Sequence, residues 1–193
     1  MPATIDLTQA EVVKQVGKFL KTVLGADVEI VRAQENRTPM PRGGFIAVTP
    51  GAIRRLGTNT HTYTDPGTNP GTLAIRGTHE LSLQLDFYGK AAQAQAVTVA
   101  TVFRDEYAVS QFPDGIAPLH ANDATQLPLI TGEEEFLERW KLELKFGFTP
   151  TVTVPQDFAD KLEIGNAGNP VTKDTPINPG LPSEPWNGLK PLL

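Results

Sequence analysis

The chain has 193 residues, 39% of them apolar, with a formal net charge of -5 and no cysteine. That length buries a sizeable core in one domain, while the acidic balance argues against a surface that grips nucleic acid as a whole. The missing cysteines exclude disulfides and thiolate chemistry. No apolar run approaches the ~18 residues of a membrane span, and no basic-then-apolar leader is visible, so a cytoplasmic origin is expected.

Residues 8–24 read as an amphipathic helix. Thr8 and Glu11 have the T-x-x-E spacing of a capping box. Val12, Val16, Phe19, Leu20 and Val23 share one face, Lys14, Lys18 and Lys21 the other, and Gly25 supplies the stop. Residues 28–33 read as a short strand, 35–44 as a Pro/Gly loop, and 44–50 as a strand stopped by Pro50-Gly51. Residues 53–63 read as a Thr-rich strand, and DPGTNPG at 65–71 is turn chemistry. That turn joins 53–63 to the next segment as an extended hairpin.

Residues 73–88, LAIRGTHELSLQLDFY, show the strongest pattern. Leu73, Ile75, Leu81, Leu83, Leu85 and Phe87 alternate with Arg76, Glu80, Ser82, Gln84 and Asp86, the period of a strand with one buried and one wet face. Unbroken, it would reach ~50 Å, beyond the ~40 Å width of a compact domain of this size. Such a strand must bend or project as an arm.

Gly89 ends it. A second helix is expected over 90–111, with Ala92, Ala96, Val99, Phe103 and Tyr107 on one side. Residues 112–132, with three prolines, read as irregular. Alternation returns at Trp140, Leu142, Leu144, Phe146 and Phe148. Pro155-Gln156 is expected to open a helical turn, and 162–165 to add an edge strand. From Asn166 on, six prolines and no periodicity predict an extended tail, in which Trp186 and Leu192 are the candidate anchors. The domain organisation expected is 1–165 as an α+β domain and 166–193 as a Pro-rich tail.

Charge is unevenly spread. Arg32, Arg37, Arg42, Arg54 and Arg55 face the single acid Glu35 between residues 32 and 55, while Glu133, Glu134, Glu135, Glu138 and Glu143 outnumber Arg139 and Lys141 between 131 and 143. Such runs are usually solvated loops. The sharper reading is two complementary patches on neighbouring copies, with Arg42, Arg54, Arg55, Glu133, Glu134 and Glu138 at the subunit interface. Asp65, Asn69 and Arg76 are the candidates on the projecting hairpin.

Chemistry is sparse. His61, His79 and His120 stand in no metal-binding spacing, and His79, on the apolar face of its strand, reads as a satisfied core or rim histidine. Ser82, Ser110 and Ser183 stand in no nucleophile elbow. Asp86 reads as a solvated strand residue. No cofactor, metal site or catalytic residue is expected.

Four strings together carry a resemblance: RLGTN (55–59), LSLQLDFYG (81–89), FRDEYA (103–108) and GIAPLHANDATQLPLITGEEEFLERWKLELKF (115–146). In this order, over about residues 8–165, they resemble the neck or tail terminator proteins of contractile-tailed bacteriophages. The resemblance implies a non-enzymatic virion protein that closes into a ring, usually of six copies. Such a ring caps the tail tube and joins it to the neck. Its implied partners are further copies of itself, the tail tube, the sheath and the neck or head-completion proteins. DNA would pass through the lumen without sequence-specific binding, and no membrane is involved. Host cytoplasm during assembly and the virion afterwards are the implied locations. The alternatives are another phage neck or baseplate adaptor, a head-completion protein, and an enzyme with a scattered site. The fold expected is α+β: an antiparallel sheet with a long projecting hairpin, packed by two main helices, plus an extended C-terminal arm.

Overall fold

The alternating segments become strands, and the apolar side of the larger sheet is roofed by helices. The computed structural model describes residues 2–33, 41, 43–67, 70–127, 129–130, 136–157, 165–166 and 169–170. In chain order the elements begin β1 (Thr4–Ile5), α1 (Gln9–Leu24), β2 (Glu29–Arg32), β3 (Phe45–Arg55), β4 (Thr60–Thr64), β5 (Gly71–Arg76) and β6 (His79–Tyr88). They continue α2 (Ala92–Phe103), α3 (Glu106–Val109), β7 (Ile116–Ala121), β8 (Thr125–Gln126), β9 (Leu129–Ile130), β10 (Phe136–Leu137), β11 (Arg139–Phe148), β12 (Thr151–Gln156), β13 (Gly165–Asn166) and β14 (Asn169–Pro170). The class is α+β, as the sequence predicts.

Two sheets dominate. The larger has the order β2-β3-β6-β11-β7, with β8 also paired to β11; β2 is parallel to β3 and the other neighbours are antiparallel. The smaller has the order β1-β12-β5-β4 and is antiparallel throughout. β9 with β10, and β13 with β14, make short antiparallel pairs.

The core lies under one face of the larger sheet. Leu81, Leu83, Leu85 and Phe87 of β6, with Leu142, Leu144 and Phe146 of β11, are fully buried against Val12, Val16, Phe19 and Leu20 of α1 and Ala92, Ala96, Val99 and Phe103 of α2. Each large side chain so buried contributes about 1.5–3 kcal/mol. Four phenylalanines interlock there. Phe103 and Phe112 meet Phe146 edge-on at 5.1 and 5.3 Å, and Phe19 lies 6.2 and 5.3 Å from Phe103 and Phe112. These are favoured aromatic geometries.

Helix α1 follows its local signals. The Thr8 hydroxyl accepts from the Glu11 N–H at 3.4 Å, and Gly25, at φ 106°, donates its N–H to Lys21 O at 3.0 Å. The capping box is only half formed, because the Glu11 carboxylate accepts from Gln15 at 2.9 Å.

Several expectations are corrected. The strand expected to stop at Pro50-Gly51 runs on to Arg55 through a bulge, where Gly51 and Ala52 oppose the single residue Ser82. The bulge is stitched by Ala52 N–H donating to Ser82 Oγ at 3.1 Å, and a side-chain carbon at Gly51 would lie 2.4 Å from that oxygen. Glycine is required there by crowding. The Thr-rich segment 53–63 splits into the end of β3 and the separate strand β4.

The long strand is two strands. It breaks at Gly77-Thr78, and β5 and β6 belong to different sheets. Gly77 is buried and donates its N–H to Pro150 O at 3.1 Å. The hairpin across 65–71 forms between β4 and β5. The second helix ends at Phe103; Asp105 then accepts from Tyr107 N–H at 2.9 Å and starts the short α3. That break turns Ala108 inward and leaves Tyr107 exposed.

The stretch 112–132, read as irregular, contains β7 and β8. Pro118 is tolerated because β7 is an edge strand whose register shifts beside it. Pro155-Gln156 belongs to β12, where β5 is the only neighbour at that end among the described strands. The loop at 35–44 and the strand expected at 162–165 lie largely outside the described residues.

Candidate assembly surfaces

The outer face of the larger sheet is polar and internally paired. Asp86 sits on it by register, beside Ala47 and Lys141. It is nevertheless only 3% exposed, which corrects the solvated reading. Arg139 Nε and Nη2 donate to Asp86 Oδ1 at 3.0 and 2.8 Å, and Gln84 Nε2 donates to Oδ2 at 2.7 Å. The Arg139 guanidinium also lies 5.7 Å from the Tyr88 ring centre, and Tyr88 stacks on Phe45 at 4.4 Å. Burial disfavours the charged guanidinium, but the Asp86 hydrogen bond and charge outweigh it and hold Arg139 above its ordinary pKa. Burial raises the Tyr88 phenol; Arg139 pulls it down and Asp86 pushes it up.

Further along the same face Lys145 pairs with Glu80 at 3.3 Å, and Asn122 donates to Glu143 at 3.4 Å. Arg104, which the sequence reading passed over, ties α2 to β7. Its Nε and Nη2 donate to Ala121 O at 3.0 and 2.8 Å, and Nη2 meets Asp123 at 2.7 Å. The available signal was the joint presence of FRDEYA and HANDAT, whose residues meet here.

Arg54 and Arg55 lie at one end of the larger sheet, opposite Glu80 and His79. Being consecutive in a strand, they point to opposite faces. Arg55 Nε donates to Gly57 O at 2.7 Å. Glu138 lies at the other end, just before β11; its Oε1 accepts from Trp140 Nε1 at 2.9 Å and its carbonyl accepts from Gly89 N–H at 3.0 Å. About nine strand residues, ~30 Å, separate the two ends. The structure therefore does not bring these charges together within one chain. Arg42, Glu133, Glu134, Asn69, Trp186 and Leu192 lie outside the described residues. Asp65 Oδ1 accepts from Gly67 N–H at 2.8 Å inside the hairpin turn, and Arg76 is exposed at the end of β5.

The three histidines are dispersed over β4, β6 and β7. His79 is half-buried at the rim, with its ring 6.3 Å from Phe148, but its Nδ1 has no hydrogen-bond partner among the described residues. The expectation of a satisfied histidine is corrected: the ring lies over Gly77, with Asn59 Oδ1 near the same space, yet Nδ1 makes no hydrogen bond among the described residues.

The smaller sheet has two distinct faces. Register places His61, Tyr63, Leu73, Ile75, Val152, Val154 and Ile5 on one side. Thr4, Thr60, Thr62, Thr64, Thr72, Ala74, Arg76, Thr151 and Thr153 lie on the other. No apolar side chain of these four strands is buried; Tyr63 is 59% and Ile5 53% exposed, and β4 is exposed along its whole length.

Among the described residues, the charged and polar side chains singled out above lie on the sheet faces and edges of an α+β fold. The chain belongs to a phage tail terminator family: a family model described as phage neck terminator protein matches residues 10–169. It is a structural component of the bacteriophage tail or neck, and so of the virion. No curated protein matches the chain.

Proposed function

We propose that this chain is the ring-forming terminator of a contractile tail. Copies, six in the leading reading, close into a ring that caps the finished tail tube. The other face of the ring meets the neck and head-completion proteins, with the sheath outside. The subunit performs no chemistry. It stops tube growth by presenting a surface to which no further tube subunit adds. It is made in the host cytoplasm and stays in the virion. The C-terminal segment, with Trp186 and Leu192, supplies an anchor outside the domain of residues 1–165.

The observation that carries this reading is the placement of Arg54 and Arg55 at one end of the sheet and Glu138 at the other. Opposite charges held ~30 Å apart on one rigid sheet suit a heterologous contact, in which one patch meets a different patch on the next copy. A DNA conduit also favours the net charge of -5, since each phosphate neutralised would add grip and hinder transit.

Mass measurement in solution followed by negative-stain imaging tests this. A closed ring that binds one end of isolated tail tubes is expected. Arg54→Glu should weaken assembly while leaving the melting transition in place. A ring found instead on head vertices or baseplates would assign the protein to a different joint of the particle. A single particle at every concentration would overturn the reading.

A further inference from the structure

We infer that the hollow between α1, α2 and α3 receives the proline-rich segment of a second copy of this chain, with Trp186, Leu189 and Leu192 seated in it as a polyproline-type ligand. This rests on the ring reading and names where the anchor of one copy lands on the next.

The first observation is the hollow itself. Its volume is about 480 Å³, within the range of roughly 300–1,000 Å³ of sites that enclose a ligand. Thr22 and Val23 near the end of α1, Thr101 and Val102 of α2, and Asp105 and Tyr107 at the start of α3 line it. Both threonine hydroxyls turn back on their own helices: Thr22 Oγ1 donates to Lys18 O at 3.1 Å and Thr101 Oγ1 to Val97 O at 2.8 Å. Their methyl groups are left to join the valines and the Tyr107 ring, so the walls are mainly apolar. Tyr107 is 46% exposed, and Val97, one turn before Thr101 on the same helix face, is 50% exposed. Exposed apolar side chains grouped in this way mark a contact surface. Asp105, whose Oδ1 accepts from the Tyr107 N–H at 2.9 Å, brings the only charge among the described lining residues.

The second observation is a period of three in the sequence. Pro176, Pro179, Pro182, Pro185 and Pro191 fall at intervals of three or six, and Trp186, Leu189 and Leu192 repeat at three. The polyproline II helix has three residues per turn. In that conformation the prolines share one edge, and Trp186, Leu189 and Leu192 share the next. Segments of this type dock in grooves lined by aromatic side chains, at a low cost in ordering. Lys190 is the only charged residue within 186–193, and it is opposite in sign to Asp105. Reach selects the recipient. Residues 171–185 would span ~45 Å as a semi-rigid proline-rich spacer, beyond the ~40 Å width of the domain. Such a spacer holds Trp186 away from its own domain and delivers it to the next copy. The contact joins two different surfaces, the type that closes into rings when the rotation allows.

The test uses the full chain, which has no cysteine of its own. Chains with Thr98→Cys, a further lining position of the groove, are mixed with chains with Leu189→Cys and treated with a short bismaleimide. A mixed covalent dimer is expected, well in excess of the dimers each variant forms alone. Trp186→Ala and Thr101→Arg should each weaken association at least about tenfold by sedimentation, as loss of an interface anchor does, with the parent melting transition retained. Combined, they should weaken it little further than either alone, because both remove one contact. Where a variant alters the melting transition, the cross-link decides. Rings that give no mixed link overturn the docking and leave the ring reading standing. So does a chain carrying both cysteines that links only within itself, since the segment then fills its own groove. Losses that add in full place the segment on another surface and also overturn the docking alone. A parent that never associates overturns the ring reading and the docking together.

Discussion

β5 and β6 arise from one continuous alternating stretch, yet they live in different surroundings. Leu81, Leu83, Leu85 and Phe87 of β6 are fully buried, whereas Leu73 and Ile75 of β5 remain partly exposed. Alternation is the same in both. What differs is the layer above: α2 covers β6 and β11 with α1 packed on α2 and β3, and no described helix covers β5. A period-two pattern specifies which side of a strand is apolar; it does not specify what covers that side. The larger sheet closes its core within the chain. The smaller one presents an apolar face with no covering layer among the described elements.

The sharpest way to break this comparison is to truncate one side chain in each sheet. Phe146→Ala removes a ring packed against Phe103 and Phe112 and should cost about 3–5 kcal/mol of unfolding free energy. Ile75→Ala in the smaller sheet should cost less than about 1 kcal/mol in the monomer. Urea denaturation of both variants at low protein concentration measures the two losses. Comparable losses would show that the smaller sheet is part of the core after all.

A second test concerns the polar side of the larger sheet. Asp86→Ala leaves the Arg139 guanidinium, 26% exposed, without its carboxylate. A loss of about 3 kcal/mol is expected, since breaking a buried pair strands one charge. Replacing both groups together, as Asp86→Leu with Arg139→Met, should lose much less. If the single and double variants unfold alike, the pair does not organise this face.

The sequence made local features legible. Helix α1 was readable because its cap, its apolar face and its glycine stop all lie within one short window. The break at Gly77 was not readable, because the odd positions stay apolar through residues 73, 75, 81 and 83 and the handover between sheets keeps the same parity. The crowding that requires glycine at position 51 comes from Ser82, a residue 31 positions away. β7 was hidden by Pro118, which marks a loop in most contexts and an edge strand here. Asp86 was placed on the correct face, but its burial depends on Arg139, 53 residues downstream. The charge patches were legible as composition; their placement at opposite ends of one sheet depends on the pairing of β3, β6 and β11.

The smallest expected effect is a pH dependence at the same cluster. The Tyr88 phenol is held above its ordinary value of 10.0, first by burial, which disfavours the phenolate, and further by the Asp86 carboxylate; Arg139 opposes both. The folded protein therefore keeps a proton that the unfolded chain has already released. The resulting stability is complete below the unfolded pKa and is lost as pH rises through the higher folded value. Tyr88→Phe removes the titrating group but keeps a ring to stack on Phe45. Between pH 8 and pH values above the ordinary tyrosine range, unfolding free energy should fall more steeply in the parent than in Tyr88→Phe. Parallel curves would mean that the phenol is solvated in the folded state. The larger sheet would then be closed on its helix side alone.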